Sequence, residues 1–119
     1  MSDPSTIVRT YIQMWNETDP ERRRKLVSEV VTDDARYLDP IMSSNSADDI
    51  SGMIAGAQAQ YPDHHLALVS GPDVHHDRVR FTWSLAPAAG DPIAIGTDFV
   101  TTAGDGRMHD ITGFLEPAA

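Results

Sequence analysis

Apolar residues recur at helical spacing along the first part of the chain and predict two helices joined by a short turn. The first helix begins after Asp3 and ends near Asn16, with its apolar side chains on one face. The second begins after Asp19 and ends near Val31. Both Asp residues are followed by proline, which is common in the first turn of a helix.

A short strand and a third helix follow. Residues 32–34 are polar and predict a break after the second helix, and residues 35–40 alternate and end at a proline, as a short strand does. Ser46 with Asp49 three positions later has the form of a capping box and begins the third helix. The Tyr-Pro pair at Tyr61 ends that helix.

From residue 64 onward the apolar period changes to two, which indicates strands. The pattern predicts a strand over 65–70, a turn over 70–73, and further strands over 78–85, 93–102 and 107–116. Helices that precede an antiparallel meander are typical of an α+β domain in which the helices cover one face of the sheet. We therefore expect a single domain over residues 1–119.

Composition narrows the class of function. The chain has 18 acidic and 9 basic residues, a net charge of −9, which repels a nucleic-acid backbone. Its one basic cluster, Arg22 to Lys25, adjoins apolar residues at helical spacing, and we expect a solvated helix face there. No segment has the apolar length of a membrane span or signal peptide, so we expect a cytoplasmic protein without membrane or nucleic-acid partners.

The sequence does not favour a metal site. It has no cysteine, and its adjacent histidine pairs, at 64–65 and 75–76, lie in extended segments where neighbouring side chains point to opposite faces. A glycine-rich phosphate loop is also absent. We therefore expect neither a metal nor a cofactor.

Several short strings, together with the order of elements αα-β-α-ββββ, resemble the nuclear-transport-factor-2-like (NTF2-like) superfamily, which includes SnoaL-like polyketide cyclases and ketosteroid isomerases. The resemblance covers nearly the whole chain. It implies a cone-shaped, curved mixed sheet with three helices on its concave face, and a homodimer. The strings are Tyr11-Ile12, Asp33-Asp34-Ala35, Leu38-Asp39-Pro40, Tyr61-Pro62-Asp63 and Gly106-Arg107-Met108.

Within this superfamily, the resemblance to ketosteroid isomerases implies three catalytic residues. Asp39 matches the general base, whereas Tyr11 and Asp98 match the two groups that bind an oxyanion. A base beside the carbon and donors beside the oxygen are what proton transfer next to a carbonyl requires. A buried Asp98 would keep its proton because burial disfavours the charged form.

Strand alternation gives separate support for Asp98. This residue shares its strand face with the small or moderate residues Ala94, Gly96, Val100 and Thr102, which suits a cavity wall. An exposed strand face is the alternative.

The other two candidates also have structural alternatives. Asp39 has the form of a turn-forming Asp-Pro, and Tyr11 lies in the apolar stripe of its helix, where core packing would explain it. Further residues are expected to line the pocket and contact a small apolar molecule, with His65 as an accessory acid or base. They are Trp15, Tyr37, Met53, His65, Phe81, Trp83, Val100, Ile111 and Leu115.

Three functions remain open. The leading hypothesis is a cofactor-free isomerase or cyclase acting on an apolar carbonyl compound. A second is a binding module that holds a ligand without chemistry, because fold does not fix function. A third, a hydrolase resembling limonene epoxide hydrolase, is disfavoured because Gly96 occupies the position where that family has an arginine.

Overall fold

The computed structural model describes residues 3–117. It contains three helices and six strands. In chain order these are α1 (Pro4–Asn16), α2 (Pro20–Val30), β1 (Val31–Leu38), β2 (Ser43–Ser44), α3 (Ala47–Gln60), β3 (His64–His75), β4 (Arg78–Pro87), β5 (Ala94–Thr102) and β6 (Met108–Pro117).

The strands form one mixed, curved and unclosed sheet in the order β2-β1-β6-β5-β4-β3. Strands β3 to β6 are an antiparallel meander, as the alternation predicts, and β1 pairs with β6 in parallel. The three helices and this sheet confirm the α+β cone fold. None of the helices within the described range is long and apolar enough to cross a membrane.

The predicted helix starts are confirmed in atomic detail. The side chains of Asp3, Asp19 and Ser46 each accept a hydrogen bond from the backbone N–H three residues later. Such a bond satisfies one of the donors that a helix leaves free at its N-terminus, and each is worth about 1 kcal/mol.

Two local predictions are wrong. Residues 32–34 are not a break but belong to β1, and they lie between the pairs Val31–Met108 and Arg36–Asp110, where the register with β6 shifts. Residues 70–73 lie inside β3, not in a turn. Gly71 takes a positive φ there as the register shifts, and the strand then continues opposite β4 with an ion pair of 2.7 Å between Asp73 and Arg80. The tiny strand β2 was not predicted.

The basic cluster also differs from expectation at Arg23, which is buried. Its guanidinium donates to the backbone oxygens of Glu17 and Thr18 and, at 2.8 Å, to Oε1 of Gln58. These bonds explain how a charged group is tolerated inside, because its donors are satisfied. Arg23 therefore fastens the α1–α2 connection to α3.

The core lies between the helices and the inner face of the sheet. Its residues come from every helix and from β1, β4, β5 and β6. They are Ile7, Val8, Tyr11, Met14, Val27, Val30, Val31, Ala35, Tyr37, Ile50, Ile54, Val79, Phe81, Trp83, Val100, Met108 and Ile111.

Candidate active site

The inner face of the sheet carries an acidic group in the middle of the core. Asp98 on β5 pairs across the sheet with Phe81 on β4 and Gly113 on β6, and its side chain is fully buried. Helix α1 lies over this row of three paired residues. Tyr11 from the helix packs edge-on against Phe81, with ring centroids 5.2 Å apart. The prediction that Asp98 faces inward is confirmed.

Tyr11 and Asp98 form a buried pair. The Tyr11 hydroxyl donates to Oδ2 of Asp98 at 2.7 Å. Burial raises the pKa of Asp98 from 3.8 to about 6, against the opposing effects of the Tyr11 hydroxyl and the Trp83 indole. Within residues 3–117, Oδ1 of Asp98 and Nε1 of Trp83 complete no hydrogen bond of normal geometry. Burial also raises the pKa of Tyr11 well above 10.0, so this phenol remains a donor.

A second pair lies beside the first. The Tyr37 hydroxyl donates to Oδ2 of Asp39 at 2.6 Å. The other carboxylate oxygen of Asp39 accepts from the backbone N–H groups of Ile41 and Met42, at 2.8 and 2.9 Å. Asp39 therefore stabilises the turn after β1, which is the role that the sequence analysis gave as the alternative to catalysis. Burial, then the charge of Asp98, raises the pKa of Tyr37 well above its usual range.

The two pairs meet at Gly113, which has no side chain to separate them. A Cβ atom at this position would lie 2.8 Å from Oδ1 of Asp98, 3.3 Å from Cβ of Asp39 and 3.6 Å from the Tyr37 hydroxyl. We call the gap bounded by these three groups the Gly113 gap. The uncommitted carboxyl oxygen of Asp98 borders this gap.

A pocket of about 110 Å³ opens next to these pairs. Asp39 and Tyr37 lie in its wall, whereas Asp98 and Tyr11 lie deeper, behind that wall. The wall comes from α1, β1 and the loop after it, the end of α3 with the following turn, and strands β3 to β6. Its residues are Trp15, Asn16, Tyr37, Asp39, Ile41, Met42, Ala57, Gln58, Tyr61, His64, Leu66, Trp83, Leu85, Ala94 and Leu115.

The position of Trp83 depends on a second glycine. Trp83 on β4 pairs with Gly96 on β5, and a Cβ atom at Gly96 would overlap the indole ring. The ring can therefore lie across the neighbouring strand and form part of the pocket wall. Gly96 is needed here for space.

The predicted contact residues divide into three groups. Trp15, Tyr37, Trp83 and Leu115 line the pocket. His65 does not, because it is exposed on the opposite side of β3, and His64 lines the pocket instead. The remaining four lie away from the pocket wall, in the core or packed against it: Met53, Phe81, Val100 and Ile111.

The sequence carried a signal for His64 that the prediction missed. Alternation places His64 on the same strand face as Leu66 and Leu68, and His65 with Ala67 on the other. Other unpredicted lining residues, such as Ile41 and Gln58, come from a loop and a helix end, whose approach depends on tertiary packing.

The arrangement is suited to proton transfer. Carboxyl and phenol groups lie within hydrogen-bonding distance of one another beside an apolar pocket, and such groups exchange protons with a bound molecule. Within residues 3–117, no three His, Asp or Glu side chains come together as a metal site would require.

Comparison with known proteins supports the same family. A candidate isomerase of the SnoaL-like family from Agrobacterium tumefaciens is 39% identical, over 98% of this chain and 99% of that one, with a TM-score of 0.91. Candidate polyketide cyclases from Jannaschia and Sinorhizobium meliloti share the fold at 15% and 17% identity. Their TM-scores are 0.69 and 0.70, the matches cover 98% and 91% of this chain, and they cover 90% and 93% of the others. No family model and no curated protein matches the chain.

Proposed function

Because this chain belongs to the SnoaL-like family of NTF2-like proteins, we propose that it catalyses cofactor-free proton transfer on an apolar carbonyl compound, as an isomerase or cyclase does. The observation that carries this proposal is the Gly113 gap, which is bordered by Oδ1 of the buried Asp98, by the Tyr37 hydroxyl and by Cβ of Asp39. A turn explains the burial of Asp39, but a protein that only held an apolar ligand would gain nothing from burying Asp98, since desolvation of a carboxyl group is costly.

We assign the base to Asp39, because it is the carboxylate in the pocket wall. A ligand carbon beside a carbonyl would lose its proton to this group, and the negative charge would move to the carbonyl oxygen. A hydrogen-bond donor placed at that oxygen lowers the barrier. Asp98 is the donor in this proposal, reached through the Gly113 gap.

The bond from Tyr11 determines where a neutral Asp98 carries its proton. Oδ2 accepts from the Tyr11 hydroxyl, so the proton is expected on Oδ1, which borders the Gly113 gap. Tyr11 is thus a positioning residue that acts through Asp98, because its own hydroxyl is committed and buried. With a pKa of about 6, about one Asp98 in ten is protonated at pH 7, and more at lower pH.

The size of the pocket bears on the substrate. A volume of about 110 Å³ is well below the roughly 300–1,000 Å³ of pockets that enclose drug-sized ligands. We therefore favour a compound of one or two rings over a tetracyclic one. Its remaining part would lie along the exposed side chains of Ile41 and Tyr61 at the edge of the pocket.

The test is exchange of the acidic CH₂ protons of 2-tetralone with D₂O, followed by ¹H NMR after subtraction of the uncatalysed rate. This reaction reports enolate formation, which isomerisation and aldol cyclisation share. We expect Asp39→Asn to reduce the catalysed rate by about 10²- to 10⁴-fold. Asp98→Asn, which retains a donor, should cost less than Asp98→Ala.

The pH profile separates the two carboxylates. If a protonated Asp98 is the donor, the catalysed rate falls as pH rises through about 6, and this fall is absent in Asp98→Asn. Asp105→Asn, at an exposed turn, is the matched control and should exchange at the wild-type rate. If the ketone binds but wild type adds nothing to the background rate, the chain is a binding module and the proposal is wrong.

We also propose that the chain forms a homodimer through the outer face of the sheet. Phe99 and Phe114 are 45% and 60% exposed there, and their rings pack edge-on with centroids 5.8 Å apart. Leu38 and Phe99 both pair with Thr112, so the exposed side chain of Leu38 lies on the same face of the sheet. Large apolar side chains gathered on one exposed face are typical of a protein interface.

A further inference from the structure

His64 lines the pocket, and a hydrogen bond fixes which nitrogen of its ring is the acceptor. Its Nδ1 atom lies 2.9 Å from the backbone oxygen of Pro62. A carbonyl oxygen only accepts, so Nδ1 must carry a proton and donate. In the neutral ring the other nitrogen, Nε2, then has a free lone pair.

The turn before β3 holds the ring in this position. Asp63 has a φ of 62°, in the left-handed region that residues other than glycine seldom occupy. Its backbone oxygen accepts from the N–H of Ala88, which anchors the turn to the end of β4. The Tyr61 ring packs edge-on against His64 with centroids 5.7 Å apart. Backbone strain of this kind tends to occur at functional sites.

Three other polar side chains of the pocket wall already have partners, and the indole Nε1 atoms of Trp15 and Trp83, which complete no hydrogen bond within residues 3–117, can only donate. The Asn16 amide exchanges two hydrogen bonds with the backbone of Leu66. Gln58 accepts from Arg23 and donates to two backbone oxygens near the end of α1. Asp39 already accepts three hydrogen bonds. Within residues 3–117, Nε2 of His64 has no hydrogen-bond partner.

We propose that Nε2 of His64 accepts a hydrogen bond from a hydroxyl group of the ligand, so that the substrate is a hydroxylated apolar carbonyl compound. This inference rests on the proposed function and names its substrate class. A neutral hydroxyl is favoured over an ammonium group because the neighbouring wall, with Leu66, Leu85 and Leu115, is apolar, and burial of a charge there is costly.

The test compares 6-hydroxy-2-tetralone with 6-methoxy-2-tetralone, since only the first can donate. We expect wild type to bind the hydroxy compound about 3- to 10-fold more tightly by calorimetry, the worth of one net hydrogen bond. His64→Asn keeps a donor that reaches the Pro62 oxygen but has no atom at the Nε2 position, so the preference should vanish. His65→Asn, on the exposed side of β3, is the matched control and should keep it.

Histidine ¹⁵N NMR of the wild-type protein tests the same claim without a variant. The free protein should show the Nδ1–H tautomer, and the Nε2 resonance should move on addition of the hydroxy compound only. An Nε2–H tautomer, equal affinity of wild type for the two compounds, or a preference that persists in His64→Asn would overturn the inference. Because these are binding measurements, they are independent of whether the protein catalyses exchange.

Discussion

Replacement of Asp98 by Asn should stabilise the protein most at neutral pH. The carboxyl group titrates near 3.8 in an unfolded chain but at about 6 in the folded protein. A raised folded pKa means that the stability from this group is fully present below pH 3.8 and is lost as pH rises through about 6. Asn has no charge to bury, so Asp98→Asn avoids this loss.

The magnitude follows from the two pKa values. One pH unit between them corresponds to about 1.36 kcal/mol, so the complete loss is about 3 kcal/mol. About 2 kcal/mol of it falls between pH 4.5 and pH 7.5. The bond from the Tyr11 hydroxyl survives in the variant, because the amide oxygen of Asn also accepts.

Urea unfolding followed by circular dichroism, at several pH values in this range, measures the difference in unfolding free energy between variant and wild type. The difference should rise by about 2 kcal/mol from pH 4.5 to pH 7.5. Asp105→Asn is the control: the N–H donors of Arg107 lower the pKa of Asp105, so its contribution changes only below this range. A constant difference for Asp98→Asn would refute the reasoning, since Asp98 would then titrate as an ordinary carboxyl.

Two further predictions concern the Gly113 gap and the assembly. Gly113→Ala should reduce proton exchange and lower the unfolding free energy by about 1–3 kcal/mol, because its Cβ would lie 2.8 Å from Asp98. Gly104→Ala, with no atom within 4 Å of its Cβ, should leave the exchange rate unchanged. Light scattering should give about twice 13.0 kDa for wild type and the monomer mass for Phe114→Asp; a monomeric wild type would contradict the proposed dimer.

The helices were predictable because several local signals agree. Each of the first two begins with a capping Asp and a proline, and each continues with apolar residues on one face. The strands were less predictable, because strand pairing depends on residues that are distant in the sequence. At Gly71 and Pro72 the sequence has a typical turn signal, yet the extended pairing of β3 with β4 continues past it.

The same distinction applies to the site. Asp39 and Asp98 were both predicted from a resemblance, and alternation along the strand gave Asp98 separate support while leaving an exposed face as the alternative. Their common neighbour Tyr37 was expected only as a contact residue, because its hydrogen bond to Asp39 depends on where the chain turns after β1. The error at His65 has another cause: alternation along β3 already places His64 with Leu66 and Leu68 and puts His65 on the other face, and the prediction missed this local signal.

Glycine positions on the inner face of the sheet explain why this core can hold both a pocket and buried carboxyl groups. Trp83, Gly96 and Leu115 form one row across three strands, and the next row inward carries Asp98 beside Gly113. In each row the glycine has no side chain, and the space that this leaves is occupied by the neighbouring Trp83 or Asp98. Ordinary side chains at these two positions would fill the interior to the usual density of a protein core. Substitutions at either glycine therefore act on the site through volume, without removing any functional group.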